Sequence, residues 1–168
     1  TSNLRTLTRN ISINKLDKKI KVVPFSLSNK ENKFLSMKES FFSEGGSHNT
    51  YGENFDFEGK KINSINNKYS IYGTSINFLL REKILSVPDY IKIDVDGTEH
   101  IILQGANEFL NNKKIKNIAV EVNENFTEQY SNILKIMHDF NFSLVHKKNT
   151  EAYKGQYANT YNYLFKRS

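Results

Sequence analysis

The segment YIKIDVDGTEHIILQGA, Tyr90 to Ala106, constrains the fold more than any other part of the chain. An apolar run ends at two aspartates one residue apart, Asp94 and Asp96, and the chain then turns through Gly97. Apolar residues recur at helical spacing after that glycine. The pattern predicts a buried strand, a tight turn and a helix over residues 98–111.

The chain that follows repeats this alternation. A second apolar strand is predicted at 115–122 and a second helix from about Asn125, and strand patterns at 142–148 and 160–167 come last. Strand, helix, strand, helix, strand is the order typical of a parallel sheet with right-handed crossovers. We therefore expect the strands on either side of the first helix to be adjacent and parallel, and the last two strands to pair antiparallel.

The first part of the chain is less regular. Residues 20–28 are predicted to form an edge strand, because Pro24 cannot donate a hydrogen bond to a neighbour. Residues from about 29 to 70 are polar and rich in Asn, Ser and Lys, which indicates an excursion from the core, with short strand patterns at 33–37 and 69–73. A short helix is predicted at 74–83. At 168 residues the chain is expected to be a single domain spanning 1–168. Apolar residues at helical spacing predict an opening helix: Leu4, Leu7 and Ile11.

Composition narrows the classes of function. The chain has no cysteine, which excludes disulfides, thiolate metal sites and a cysteine nucleophile. The net charge is +6, but the lysines are scattered and aromatic residues do not interleave with them, so we expect no nucleic-acid partner. No apolar run approaches the length of a membrane span, and the first residues lack the apolar core of a signal peptide. We expect a cytoplasmic protein with no membrane span.

Acidic and amide side chains stand where two predicted strands end. Ligands of parallel sheets bind beyond the carboxyl ends of the strands; Asp94 and Asp96 lie at one such end, and Glu121 and Asn123 at the next. Asp96 and Glu99 have the spacing of a helix capping box, which explains them structurally. That motif does not explain Asp94. A buried unpaired carboxylate is costly, so we expect Asp94 to have a partner: a cation, a ligand hydroxyl or a backbone amine.

Two other enzyme classes place acids in such a pattern. Residues 94–98, DVDGT, are similar to the first motif of haloacid-dehalogenase-type phosphatases, but Glu99 replaces an apolar residue and no later acidic pair follows to bind magnesium. Metal-dependent glycosyltransferases use Asp-x-Asp to hold a nucleotide-sugar diphosphate through a divalent ion. That reading of Asp94 and Asp96 is kept as an alternative.

The same segment closely resembles the signature of the FkbM methyltransferase family. In that signature a strand ending Lys-Ile-Asp-Val-acid-Gly is followed by a small residue, Glu, and a helix with Leu-x-Gly-Ala, here Lys92–Glu99 and Leu103–Ala106. Asp96 stands where the family usually has Glu. Shorter similarities to the family cover residues 3–14, 22–31, 73–80 and 118–123.

The resemblance implies an α/β fold, the Rossmann-like class I methyltransferase sheet with helices on both faces. It also implies S-adenosylmethionine as cofactor and O-methylation of a small-molecule or glycan acceptor, such as a sugar or another secondary metabolite. The enzyme must align the methyl donor with the acceptor hydroxyl and help that hydroxyl to lose its proton. We identify Asp94, Glu121 and His48 as the candidate bases.

Further roles follow from the same resemblance. Ser26 and Leu27, at the end of the strand 20–28, are expected to contact the cofactor together with Asp94. A divalent ion could instead lower the pKa of the hydroxyl. Its candidate oxygen ligands are Asp94, Glu121 and Asn123, the last two of which share one face of their strand by alternation.

Two elements of a class I methyltransferase are not found in this sequence. The fold needs a glycine-rich turn after its first strand and an acid at the end of its second, yet no glycine here forms Gly-x-Gly after an apolar strand. We therefore expect a sheet that lacks the first two strands, weak or no cofactor binding by this chain alone, and self-association through the open sheet edge. A non-catalytic remnant that only folds or associates is the second alternative.

Overall fold

The computed structural model describes residues 2–39, 49–63, 67–149 and 155–168. These residues form two four-stranded sheets, where the sequence had suggested one continuous sheet. In chain order the elements are α1 (Ser2–Ile13), β1 (Ser26–Leu27), β2 (Lys33–Glu39), β3 (Asn49–Tyr51), β4 (Asn67–Thr74), α2 (Ile76–Arg81), β5 (Tyr90–Ile93), α3 (Glu99–Gln104), β6 (Asn117–Asn123), α4 (Thr127–Asp139), β7 (Phe142–Asn149) and β8 (Thr160–Arg167). A short 3-10 helix, Gly155–Tyr157, precedes β8.

The C-terminal sheet has the strand order β5-β6-β8-β7. β5 and β6 are parallel, with Tyr90 opposite Asn117, and α3 lies between them in the chain. β8 runs antiparallel to β6 and to β7. The predictions of an adjacent parallel pair and of an antiparallel closing pair are both confirmed.

One face of the C-terminal sheet carries the main core. The side chains of Ile118, Val120 and Val122 are fully buried, and α3 and α4 join them in a single apolar cluster. Alternate positions of β6, among them Glu121, are only half buried. The resemblance implied helices on both faces of the sheet, but α3 and α4 both pack on this one face.

The N-terminal sheet has the order β1-β4-β2-β3 and is built largely from the segment expected to lie outside the core. β2 pairs antiparallel with β4 along its whole length, and with β3. β1 is a parallel edge strand, as Pro24 suggested, but it contains only Ser26 and Leu27 of the predicted 20–28 strand. The reason is that its one neighbour, β4, pairs with it at Gly73 and Thr74 only.

The helix α3 is shorter than predicted. It ends at Gln104, and residues 105–111 continue as turns. Gly105 lies against the N-terminal segment so closely that a Cβ there would stand 2.3 Å from the carbonyl oxygen of Ser28. The Gly105 carbonyl also accepts a hydrogen bond from the Asn77 N–H at 2.7 Å. The glycine therefore permits the close contact that brings β1 beside the C-terminal sheet.

The other helices follow the predicted pattern. α1 is present where Leu4 and Ile11 predicted a helix. α2 is capped by the hydroxyl of Ser75, which accepts from the Phe78 N–H at 2.9 Å. Within the described ranges, none of the helices combines the length and the apolar character that crossing a bilayer requires.

Candidate functional site

A cavity of about 760 Å³ lies at the ends of β1, β5 and β6. It is lined by all the candidate residues that the structure describes: Ser26, Leu27, Asp94, Glu121 and Asn123. The structure thus brings together side chains that the sequence placed at three separate strand ends. His48, the remaining candidate, lies outside the described residues.

Asp94 follows directly after β5 and is exposed, with 45% of its side chain accessible. The sequence had placed it at a buried strand end. The strand instead finishes one residue earlier, at Ile93, so Asp94 turns out to the surface of the cavity. Its carboxylate pairs with the ammonium group of Lys92. Of the three kinds of partner expected for this acid, the structure supplies a cation.

Asp96 does not cap the helix. The N-cap residue is Thr98, without a side-chain cap bond, so the capping-box interpretation of Asp96 is wrong. Gly97 lies between Asp96 and Thr98 and has a φ of 96°. A Cβ at this position would stand 2.8 Å from the Cα of Phe57. This turn places Asp96 ahead of the helix, where its Oδ2 accepts a hydrogen bond from the Asn49 N–H at 3.1 Å. Asp96 therefore links the loop after β5 to β3.

Glu99 does reach back towards the loop, as predicted, but it is buried, with 1% of its surface exposed. Its Oε1 accepts from the N–H groups of Val95 at 3.2 Å and Gly97 at 3.4 Å, and its Oε2 accepts from the side-chain amide of Gln129. Burial raises the pKa of Glu99 to about 8, and these hydrogen bonds oppose the rise. No sequence pattern indicated Gln129, because its contact with Glu99 joins two elements that are separate in the chain.

Glu121 is a predicted site acid whose surroundings raise the pKa of its carboxyl group. Burial raises the pKa of its carboxyl group, the negative charges of Asp94 and Asp96 raise it further, and Lys92 opposes them. No other described residue forms a hydrogen bond or ion pair with this carboxylate. Glu121 is therefore a half-buried acid with a raised proton affinity at the cavity wall.

Asn123 is buried, and its side-chain amide makes two hydrogen bonds. Its Nδ2 donates to the carbonyl oxygen of Phe57 at 3.1 Å, and its Oδ1 accepts from the Asn125 N–H at 3.0 Å. In the part of the chain that the structure describes, no three His, Asp or Glu side chains are grouped to hold a metal ion. The predicted set of Asp94, Glu121 and Asn123 thus offers two carboxylates and an amide that already has partners. The ligand role of these three residues stays a prediction.

The cavity lining includes both acidic and aromatic side chains. Four carboxyl groups line it, at positions 94, 96, 99 and 121, and none of its described lining residues is Lys, Arg or His. Aromatic rings complete the wall: Phe25, Tyr51, Phe57 and Tyr157. Two of these rings, Tyr51 and Phe57, come from the segment predicted to be a polar excursion, and no sequence motif indicated the other two.

Comparison with known proteins gives one result. The model of the family described as the methyltransferase FkbM domain matches residues 2–144, which include both acid-bearing strand ends. Searches of curated proteins and of solved structures returned no match. The family match extends well beyond the signature segment and covers most of the chain. The chain belongs to the FkbM methyltransferase family.

Proposed function

We propose that this protein transfers a methyl group from S-adenosylmethionine to a hydroxyl of a sugar or of another polyhydroxylated secondary metabolite. The observation that carries the proposal is the meeting of Ser26, Leu27, Asp94 and Glu121 at one cavity, in a chain of a methyltransferase family. The cavity of about 760 Å³ has the size of a small-molecule site, for which roughly 300–1,000 Å³ is usual.

The charge of the cavity suits the methyl donor. S-adenosylmethionine supplies an electrophilic methyl group on a positively charged sulfur. None of the described lining residues is lysine or arginine, and the carboxylates of Asp94, Asp96 and Glu121 outnumber the ammonium group of Lys92 that pairs with Asp94, so the cavity attracts such a cation. Ser26 and Leu27, at the end of β1, would hold the donor together with Asp94.

Glu121 is the better candidate for the base that takes the hydroxyl proton. A general base works best when its pKa approaches the working pH, and burial and two neighbouring carboxylates raise the pKa of Glu121 in that direction. Asp94 is exposed and bound by Lys92, so its role is to accept a hydrogen bond from the acceptor and orient it. His48 stays a further candidate base.

The lining also supports a polyhydroxylated acceptor. Carboxylate oxygens accept hydrogen bonds from hydroxyl groups, while aromatic rings pack against the apolar C–H face of a sugar. Asp94 and Glu121 on one wall, with Tyr51 and Tyr157 among the rings, offer both kinds of contact. Because none of the described lining residues is Lys or Arg, a nucleotide-sugar diphosphate would need a divalent ion beside Asp94 and Asp96.

Methyl transfer from radiolabelled S-adenosylmethionine tests the proposal. Purified protein is incubated with a panel of neutral sugars and glycosides, while the cofactor concentration is raised until the rate no longer increases. We expect labelled product with at least one polyhydroxylated acceptor and none with the matched deoxy compound. Absence of transfer to every acceptor at saturating cofactor would contradict the proposal.

The same assay with EDTA added distinguishes base catalysis from metal catalysis. Because the amide of Asn123 is engaged, we expect EDTA to leave the transfer rate unchanged. Loss of the rate on chelation, with recovery on added Mg²⁺ or Mn²⁺, would restore the divalent-ion hypothesis for Asp94 and Glu121.

A further inference from the structure

We propose that Glu99 and Gln129 are positioning residues that fix the separation between the two acid-bearing strand ends of the cavity. We call their direct hydrogen bond, with the bonds on either side of it, the Glu99–Gln129 tie. Its consequence for catalysis rests on the proposed function, but its effect on the position of the strand ends does not.

The tie joins the loop after β5 to the end of β6. On one side Glu99 Oε1 accepts from the main-chain N–H groups of Val95 and Gly97, in the loop that carries Asp94 and Asp96. On the other side Gln129 Oε1 accepts from the Asn123 N–H at 2.8 Å, two residues after Glu121. Gln129 Nε2 donates to Glu99 Oε2 in between.

Both tie residues are inaccessible to water, which could otherwise replace their bonds. Glu99 is 1% exposed and Gln129 2% exposed. Neither belongs to the apolar cluster that holds α3 and α4 to the sheet. A hydrogen-bonded pair of buried polar side chains is costly to interrupt, because each group left unpaired loses its solvation without compensation.

The direction of the hydrogen bonds allows only one chemical combination. The groups at both outer ends are main-chain N–H donors, so each side chain must present an acceptor outwards. In the middle, one side chain must donate to the other. One carboxylate and one amide satisfy all these bonds. Two amides would not, because an N–H group of each would face an N–H group of the other and no acceptor would lie between them. Two carboxylates would have no hydrogen between them unless one took up a proton.

This directionality makes an exchange of the two side chains the decisive variant. Glu99→Gln and Gln129→Glu each break the tie. In the double variant Glu99→Gln/Gln129→Glu, the amide at position 99 accepts from Val95 and Gly97 and donates to the carboxylate at position 129, which accepts from Asn123. The number of hydrogen bonds and the net charge are those of the original protein.

The experiment compares the original protein, both single variants and the double variant at pH 9, above the pKa of Glu99. NMR reports the exchange rate of the main-chain N–H proton of Asn123 and the main-chain amide chemical shifts of Asp94 and Glu121. We expect each single variant to speed Asn123 exchange by ~10-fold or more and to shift both amides, because local opening becomes easier. The double variant should return all three readouts close to the original values.

Three outcomes would overturn the proposal. The single variants could leave Asn123, Asp94 and Glu121 unchanged while lowering only the melting temperature, which is the result of a merely structural role. The double variant could restore the melting temperature without restoring the NMR readouts. The third outcome is that the double variant unfolds as the single variants do.

Labelled methyl transfer at pH 9 on the same four proteins separates this inference from the proposed function. If the tie positions the acids, the single variants should lower kcat by ~10-fold or more with little change in KM, and the double variant should recover it. NMR rescue without transfer by any of the four proteins would refute the proposed function and keep the positioning role.

Discussion

The two sheets of this protein are stabilised in different ways. The C-terminal sheet holds the main apolar cluster, whose members run from Ile93 to Phe165. In the N-terminal sheet, buried polar side chains take a large part. Lys38, 7% exposed, donates to the carbonyl of Glu53 and to the side chain of Asn54, and the Tyr51 hydroxyl donates to the Lys33 carbonyl at 2.9 Å.

The two sheets also contribute different kinds of residue to the cavity. The acids that we assign to the chemistry follow β5 and lie on β6, where apolar packing fixes the backbone. The N-terminal sheet and its loops contribute aromatic rings and the end of β1. Reactive groups need accurate placement, while a surface that covers a substrate can tolerate more movement.

The largest effect on stability is expected in the core of the C-terminal half. Leu103, on α3, is fully buried, and Leu103→Ala should lower the free energy of unfolding by about 2–5 kcal/mol through lost contacts and a cavity. The same substitution in the N-terminal sheet, Leu35→Ala, removes a half-buried side chain and should cost about 1–2 kcal/mol. Denaturant titration of both variants measures the difference, and equal losses would refute it.

The junction between the two regions depends on Gly105. Gly105→Ala places a methyl group against the Ser28 carbonyl, so the backbone must separate at a cost of about 1–3 kcal/mol. The Ser28 N–H donates to Thr74 at 2.9 Å, and its hydrogen exchange should become faster as β1 loosens. A variant that melts as the original does, with unchanged Ser28 exchange, would show that the close contact is not needed.

Glu99 makes the stability of the molecule depend on pH. Its pKa rises from 4.5 to about 8 on folding, so between these values the folded state holds the proton more tightly than the unfolded state does. The free energy of unfolding should therefore fall as pH rises through this range, by on the order of 1 kcal/mol or more. Urea titrations at pH 5 and pH 8 on the original protein and on Glu99→Gln measure it. An identical pH slope in both proteins would exclude Glu99 as the cause.

The contrast between the regions also explains what sequence could predict. From Tyr90 onwards, apolar residues recur at the period of a strand or a helix, and β5, β6, α4, β7 and β8 lie where predicted. Before that, the strands of the N-terminal sheet are half buried with polar neighbours. The sequence therefore predicted only short strand segments at 33–37 and 69–73, where β2 and β4 lie, and not a second sheet.

At the site, the sequence predicted the residues at the strand ends but not all of their roles. Asp94, Glu121 and Asn123 meet because the parallel strands β5 and β6 end at a common edge. Ser26 and Leu27 belong to the other sheet and join them through the close contact of Ser28 with Gly105. The exposure of Asp94 and the link from Asp96 to Asn49 depend on where a turn begins, by a margin of one or two residues. The contact of Gln129 with Glu99 depends on how α4 packs, which local sequence does not encode.

Two weaker effects concern binding. Because the sequence has no Gly-x-Gly turn after an apolar strand, we expect S-adenosylmethionine to bind this chain with a Kd of ~1 mM or weaker. Calorimetric titration measures it, and tight one-to-one binding would require a different site.

Self-association is a separate proposal. β5 is the edge strand of its sheet in the described structure, and an edge strand can pair with a second copy of the chain. Light scattering over a range of concentrations should show dimers, and a monomer at every concentration would contradict this.

The proposed function depends on the acids that the C-terminal sheet brings to the cavity. The most direct measurement is labelled methyl transfer by Glu121→Gln, beside Asp94→Asn and the exposed control Asp139→Asn, each with a thermal melt. We predict that Glu121→Gln lowers kcat by ~10²-fold or more without loss of stability, as expected for a lost general base. Asp94→Asn should lower it less, and the control should leave it unchanged. Full activity in Glu121→Gln, with the original melting temperature, would contradict the account.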